Sequence, residues 1–251
     1  MQERAWLAHY PEGIPAEIDL SRYTSLVALM EQAFAQHAGR VAFNFMGKDM
    51  SFAELDRFSP AFAAYLQSLG LAHGDRVALM MPNVPQYPVA VAAVLRAGVV
   101  IVNVNPLYTA RELEHQLKDS GATAIIILEN FAHTLAQVLD RTAIQHICLT
   151  RMGDLLGGLY GSWITFAVRH LAKMVPPYDL PLGRDSNGGS ARKVTLCNQA
   201  LAAGSCRKLV ASTATLDSVA FLQYTGGTTG LSKGAVLTRR NIVAATLQAH
   251  T

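Results

Sequence analysis

Apolar runs and amphipathic stretches alternate along most of the chain. A continuous apolar run is typical of a strand buried on both faces of a sheet, whereas apolar residues three and four positions apart are typical of a helix packed on one side. Runs of the first kind lie at 77–81, 99–104, 123–128 and 146–149. Stretches of the second kind lie at 26–37, 52–69, 88–97, 109–121 and 131–139. The pattern predicts an α/β fold, a parallel sheet with helices on both faces.

Residues that commonly begin or end helices support these boundaries. Ser51 with Glu54, and Thr109 with Glu112, have the spacing of a capping box, in which two side chains satisfy free N–H groups at a helix start. Residues 41–52 predict a short hairpin just before the first of these boxes. Glycines stand where three helices are expected to stop, at Gly70, Gly98 and Gly121.

Three stretches are less regular. Residues 1–24 are mixed in character and interrupted by proline, so we expect them to run extended over the surface. Residues 176–192 are rich in Pro, Gly, Ser and Asn, which predicts an exposed connector. For 194–216 the pattern leaves both a helix and an irregular structure open.

The segment 155–175 has a different character. Drawn as a helix, it places Arg169 and Lys173 opposite a broad apolar face, although three glycines weaken the helix. Two interpretations remain open: a helix lying at a membrane surface, and a helix docked on the protein core. The apolar face consists of Leu156, Leu159, Tyr160, Trp163, Ile164, Ala167, Leu171 and Met174.

Composition narrows the class of protein. The 251 residues are 51% hydrophobic and 16% charged, which describes a globular protein, and a net charge of +3 gives no ground for nucleic-acid binding. Cys148, Cys197 and Cys206 form no CxxC pair, which fits reduced thiols. Residues 1–15 lack the apolar core of a signal peptide, and no uncharged apolar run reaches the roughly 20 residues that span a bilayer. We therefore predict a cytoplasmic protein, with association at the inner face of a membrane and oligomeric state left open.

The candidate chemistry lies at 224–241, which reads YTGGTTGLSKGAVLTRRN. Glycines let a backbone point successive N–H groups at a ligand, threonines add hydroxyl donors, and Lys233 adds a mobile positive charge, a combination suited to phosphate. Apolar runs at 219–222 and 235–237 predict a strand on each side, and Asn241 is expected to cap a helix from Ile242. A Gly/Thr hairpin without a ligand is the alternative.

The order of residues in TGGTTGLSKG resembles the ATP phosphate loop of the adenylate-forming enzymes, the acyl-CoA synthetases, luciferases and amino-acid adenylation domains. Gly226 stands where that family usually has serine and Ser232 where it usually has proline, and both departures are similar to bacterial long-chain fatty acyl-CoA ligases. The segments 50–55, 95–98 and 105–106 also resemble motifs of this family. Arg239 departs from it, since long-chain ligases usually have histidine there.

The resemblance implies that residues 1–251 are the N-terminal portion of the large adenylate-forming domain, with the phosphate-loop segment at 218–251 and the C-terminal domain absent. It implies a long-chain fatty acid–CoA ligase with ATP, Mg²⁺ and coenzyme A, and a fatty acid as substrate. The residues expected to bind phosphate are Thr225, Gly226, Gly227, Thr228, Thr229, Gly230, Lys233 and Gly234.

The same resemblance places the magnesium-binding glutamate, the ribose-binding aspartate and the adenylation lysine beyond the phosphate loop. We therefore predict no catalytic residue and no metal ligand within these 251 residues, and we expect the chain alone to be inactive. Two alternatives stay open: an adenylate-forming enzyme for short-chain, aryl or amino acids, and a non-catalytic module that binds nucleotide or membrane.

Overall fold

The computed structural model describes residues 5–12, 15–180, 192–225 and 232–250. Its strands are β1 Val41–Phe45, β2 Lys48–Ser51, β3 Arg76–Met80, β4 Val100–Asn103, β5 Ala124–Leu128, β6 His146–Thr150, β7 Lys193–Leu196, β8 Val219–Thr225 and β9 Lys233–Thr238. Its α-helices are α1 Leu26–Gln36, α2 Phe52–Ser68, α3 Gln86–Ala97, α4 Ala110–Ser120, α5 Ala132–Ala136, α6 Gly158–Phe166, α7 Cys197–Ser205 and α8 Arg239–His250.

The main sheet has the order β7-β6-β5-β3-β4-β8-β9. All neighbours in it are parallel except β8 and β9, which form an antiparallel hairpin. Strands β1 and β2 form a separate antiparallel hairpin, as the sequence predicts. Because parallel strands end at the same edge, the residues that follow β3, β4 and β8 lie side by side.

The sheet is buried on both faces, and β5 shows why its sequence reads as a continuous apolar run. Ala124, Ile126 and Leu128 point to one core, where α1, α2, α3, α7 and α8 pack. Ile125 and Ile127 point to the other core, beneath α4 and α5. Successive residues of a strand face opposite sides, so a strand covered on both sides must be apolar throughout. The predicted α/β fold is confirmed.

The helix boundaries follow the capping residues. Both capping boxes are formed, with Ser51 accepting from the backbone of Glu54 and Thr109 from that of Glu112. Gly98 ends α3 with a φ angle of +83°, a left-handed backbone conformation that residues other than glycine rarely adopt. These local signals were sufficient to place α2, α3 and α4.

The segment 155–175 is not one regular helix. Leu155 and Gly157 have positive φ angles of 65° and 83°, so α6 begins only at Gly158. After Phe166 the helix widens into a π-helix at Ala167–Leu171. A single helix over 155–175 is therefore not formed, because the positive φ angles of Leu155 and Gly157 are incompatible with a right-handed helix at its start.

Two further predictions need correction, and one stretch that was left open can now be described. Asn241 does not cap α8, because Thr238 does: its Oγ1 accepts from the Asn241 backbone, and the Asn241 side chain bonds back to the Thr238 N–H at 2.9 Å. The helix predicted at 131–139 is divided into α5 and 3₁₀ turns at Glu129–Phe131 and Leu139–Arg141. The ambiguous stretch 194–216 contains an edge strand, β7, followed by α7.

The N-terminal stretch and the connector are described only in part. Ala5–His9 form a 3₁₀ helix within the stretch predicted to be extended. Of the predicted connector, 181–191 lie outside the described residues, and Leu180 just before them is buried.

Candidate nucleotide site

The hairpin β8–β9 carries the predicted phosphate loop. Pairing places Thr225 opposite Lys233 and Tyr224 opposite Gly234. Thr225, Lys233 and Gly234 are all exposed, and Thr225 and Lys233 are opposite each other where the loop begins and ends, which we call the mouth of the loop. The other predicted site residues, Gly226, Gly227, Thr228, Thr229 and Gly230, lie outside the described residues.

Tyr224 lies directly under the mouth. A Cβ atom added to Gly234 would come within 3.0 Å of the Tyr224 ring, so glycine is the residue that allows this close approach. The Tyr224 ring is buried, and its hydroxyl donates to Asp119 Oδ2 at 2.5 Å. Burial, and then the neighbouring Asp119 carboxylate, raise the pKa of Tyr224 above its usual value. Its hydroxyl is therefore a protonated donor at neutral pH.

A polar pocket of about 290 Å³ opens beside the mouth, at the carboxyl ends of β3, β4 and β8. Tyr87 donates to Asn103 Oδ1 at 3.1 Å, and Asn103 Nδ2 donates to Gln223 Oε1 at 2.9 Å. Burial raises the pKa of Tyr87, so its hydroxyl group also stays protonated at neutral pH and can donate this hydrogen bond. Amide and hydroxyl groups of this kind can hydrogen-bond the uncharged polar part of a ligand whose phosphates lie at the loop.

The sequence pattern did not single out Tyr87, Asn103 or Gln223. Asn103 and Gln223 each interrupt an apolar strand near its carboxyl end, where parallel strands commonly present ligand-binding side chains. A polar residue inside an apolar run of the sequence was the available signal. Tyr87 could not have been found this way, because it lies at the start of helix α3 and not in a strand.

The donor set at the mouth suits phosphate. A lysine ammonium and a threonine hydroxyl can both donate hydrogen bonds to phosphate oxygens. Among the described residues, no group of three or more His, Cys, Asp or Glu side chains could hold a metal ion. The described part of the site thus offers the hydrogen-bond donors and the positive charge that nucleotide phosphates require.

Comparison with known proteins identifies the family of this chain. The pattern of the AMP-binding enzyme family matches residues 30–251. The chain belongs to the AMP-binding enzyme family. Family members named long-chain-fatty-acid–CoA ligase are similar over nearly the whole chain: one from Escherichia coli O157:H7 is 51% identical over 243 residues, covering 96% of this chain. One from Haemophilus influenzae is 46% identical over 248 residues, covering 98%.

These relatives are much longer. The chain spans 41% of the Escherichia coli protein and 42% of the Haemophilus influenzae protein. A solved structure named as a long-chain-fatty-acid-CoA ligase from Archaeoglobus fulgidus has the same fold, with a TM-score of 0.68 at 24% identity, and the chain covers 41% of it. The architecture expected from the resemblance, part of an adenylate-forming domain, is confirmed.

Proposed function

We propose that the protein to which this chain belongs is a long-chain fatty acid–CoA ligase. In the first step a fatty-acid carboxylate oxygen attacks the α-phosphorus of ATP, and the bond to pyrophosphate breaks to leave acyl-AMP. In the second step the thiol sulfur of coenzyme A attacks the acyl carbonyl, AMP leaves, and the thiol proton is released. The 51% identity to ligases of that name over 96% of this chain is the observation that carries the proposal.

The chain's own contribution to this chemistry is to hold the leaving phosphates. Lys233 supplies positive charge and Thr225 a hydroxyl donor at the loop mouth, and we propose that Gly226, Gly227, Thr228, Thr229, Gly230 and Gly234 add backbone and hydroxyl donors. A bound Mg²⁺ would share the neutralisation of phosphate charge. Positioning and charge neutralisation carry most of the rate enhancement in such a displacement.

We expect Lys233→Ala in the full-length protein to lower kcat/KM for ATP by roughly 100-fold, because a donor to developing phosphate charge is worth about 3 kcal/mol. Pyrophosphate release with palmitate as the acid measures this. Lys208→Ala is the matched control, since Lys208 is also exposed but lies far along the chain from the loop, and it should keep wild-type kinetics. Equal kinetics for both variants would remove Lys233 from the site.

The acid specificity is tested in the same assay with palmitate, acetate and a mixture of amino acids. Turnover with palmitate supports the proposal. Turnover with acetate or an amino acid, and none with palmitate, would assign the protein to another kind of adenylate-forming enzyme.

We also propose that the segment 155–175 touches a membrane surface. Among the described residues, no helix is long and apolar enough to cross a membrane. The segment instead turns large apolar side chains outward: Leu159 is 91% exposed and Trp163 59% exposed, and Phe166, Leu171 and Met174 are also exposed. Of the predicted apolar face, only Leu156 and Ile164 are fully buried. Exposed apolar groups of this size on one segment are typical of a contact surface.

Polar contacts hold this segment in place from its inner side. Buried Glu129, which follows β5, accepts from Arg169 Nη1 at 3.0 Å and from the Tyr178 hydroxyl at 2.7 Å. Burial and then Glu129 raise the pKa of Tyr178 to about 12, so that bond persists at neutral pH. No acidic residue lies between 155 and 178, whereas Lys173 is exposed, which favours an anionic lipid surface over a basic partner.

We expect Trp163→Asp to reduce flotation of the chain with liposomes that contain anionic lipid, because a charge would replace the largest exposed apolar group of α6. Val210→Asp is the control, since Val210 is similarly exposed but lies outside the segment. Equal flotation of the wild type and Trp163→Asp would exclude this segment as the membrane contact.

A further inference from the structure

We propose that Asp119 and His115, one turn apart on α4, are positioning residues that hold the two ends of the phosphate loop. The proposal rests on the proposed function, because the loop is taken to bind the phosphates of ATP. Among the described residues, neither of them hydrogen-bonds the side chain of Thr225 or Lys233. Each acts on the residue next to the loop mouth.

Asp119 holds the first end. Tyr224 immediately precedes Thr225, and its buried hydroxyl donates to Asp119 Oδ2 at 2.5 Å, the distance of a strong, charge-assisted bond. The Tyr224 ring also packs under Gly234, on the opposite strand of the hairpin. A single anchored ring therefore fixes both strands immediately below the mouth.

His115 holds the second end. Ser232 immediately precedes Lys233, and its carbonyl oxygen lies 3.4 Å from His115 Nε2. A carbonyl only accepts, so this ring nitrogen must carry the proton. The contact is longer than an average hydrogen bond and is expected to be the weaker of the two.

Helix α4 is itself rigidly attached to the sheet. Leu113 and Leu117 are completely buried in the core beneath it, and Gln116 Nε2 donates to the Asn103 carbonyl at 2.7 Å. Residues four apart lie on the same side of a helix, so His115 and Asp119 form one surface facing the hairpin. Asn103 also belongs to the polar pocket. Helix α4 therefore contacts both the hairpin that carries the loop and a strand that lines the pocket.

In the part of the chain that the structure describes, β9 stands at the end of the sheet and its one strand partner is β8, so α4 adds a second support for the hairpin. Without α4 the tilt of β9 is set by that one pairing, and the separation of Thr225 and Lys233 from the pocket can vary. Donors that are held in place before the ligand arrives bind it without the cost of ordering them. The two contacts should therefore set the affinity for ATP more than the affinity for the fatty acid.

The test measures KM for ATP and for palmitate in the full-length protein, and ATP affinity by equilibrium dialysis. We expect Asp119→Ala to raise KM for ATP and the dissociation constant about tenfold, with KM for palmitate changed less than about twofold. Asp119→Asn should restore most of the affinity, because its amide oxygen still accepts from Tyr224. Tyr224→Phe should match Asp119→Ala, and the double variant should be no worse than either one.

His115→Ala should raise the ATP constants about threefold, and His115→Gln should restore them, since its amide still donates. Glu114→Ala is the control on the same helix: Glu114 bonds Lys118 and Arg141 at the surface and should leave the ATP constants unchanged. Unchanged ATP affinity in Asp119→Ala, or equal losses for Asp119→Ala and Glu114→Ala, would overturn the proposal. A wild type that binds ATP but releases no pyrophosphate with any acid would overturn the proposed function instead, and the dialysis comparison would still decide the role of Asp119.

Discussion

Gly204→Ala should destabilise the chain by more than about 3 kcal/mol, although alanine is the better helix former. An added Cβ at Gly204 would lie 1.8 Å from the Ala61 carbonyl oxygen and 2.7 Å from its carbonyl carbon. Both atoms belong to the backbone of α2, so no side-chain rotation relieves the overlap and the two helices must separate. Overpacking of a well-filled core costs about 1–3 kcal/mol when side chains can adjust, and more is expected where the backbone must move.

Two effects of opposite sign compete at Gly204. Replacing glycine by alanine inside a helix gains about 1 kcal/mol from backbone propensity. The overlap with the α2 backbone opposes this gain. Its energetic cost decides whether Gly204→Ala raises or lowers the free energy of unfolding. Ala203→Gly, at an exposed position on the same helix, isolates the propensity term and should cost about 1 kcal/mol. Urea denaturation followed by circular dichroism measures both variants, and a Gly204→Ala protein as stable as the wild type would show that α2 and α7 do not approach so closely.

Arg239→Met should raise the free energy of unfolding by about 1–3 kcal/mol. Arg239 is only 1% exposed, yet Nε and Nη1 have no hydrogen-bond partner among the described residues. Burial lowers the pKa of Arg239, but a guanidinium remains charged at neutral pH, so folding buries an uncompensated cation. Methionine is unbranched, flexible and uncharged, so it can fill most of the same space without that cost.

The bond that Arg239 does make is dispensable. Its Nη2 donates to the Leu95 carbonyl at 3.0 Å, but that oxygen also accepts from the Gly98 N–H at 3.2 Å. Arg240→Met is the matched control, because Arg240 is half exposed and pairs with exposed Asp217, and such surface pairs contribute little. Thermal denaturation should show a higher Tm for Arg239→Met and little change for Arg240→Met; a lower Tm for Arg239→Met would mean that its charge is compensated.

The fold could be predicted from sequence wherever one local signal determines it. The continuous apolar run of β5 and the capping boxes at Ser51 and Thr109 each depend on a few neighbouring residues, and all are observed. Strand β7 was missed because it is short and only pairing with β6 defines it. The left-handed Leu155, which delays α6, carries no marker in its side chain.

The candidate site also has parts that local sequence predicts and parts that it does not. The order of residues in the loop predicts Thr225 and Lys233 as phosphate-binding residues, and this role stays a prediction, whereas their pairing across the hairpin is seen only in the structure. Asp119 and Tyr224 are far apart along the chain, and nothing local to either residue predicts that they meet. The burial of Arg239 is likewise a property of the assembled core, since arginine is normally a surface residue.

The position of β8 between β4 and β9 has a consequence for synthesis on the ribosome. Strand β4, with the sequence VIVN, pairs on one side with β3 and on the other with β8, which is made much later. Until Val219–Thr225 emerges, the nascent chain exposes an apolar strand edge that can pair with other chains. This strand order therefore makes the chain prone to aggregate during translation. A protein that ends before residue 219 would keep the edge of β4 unpaired.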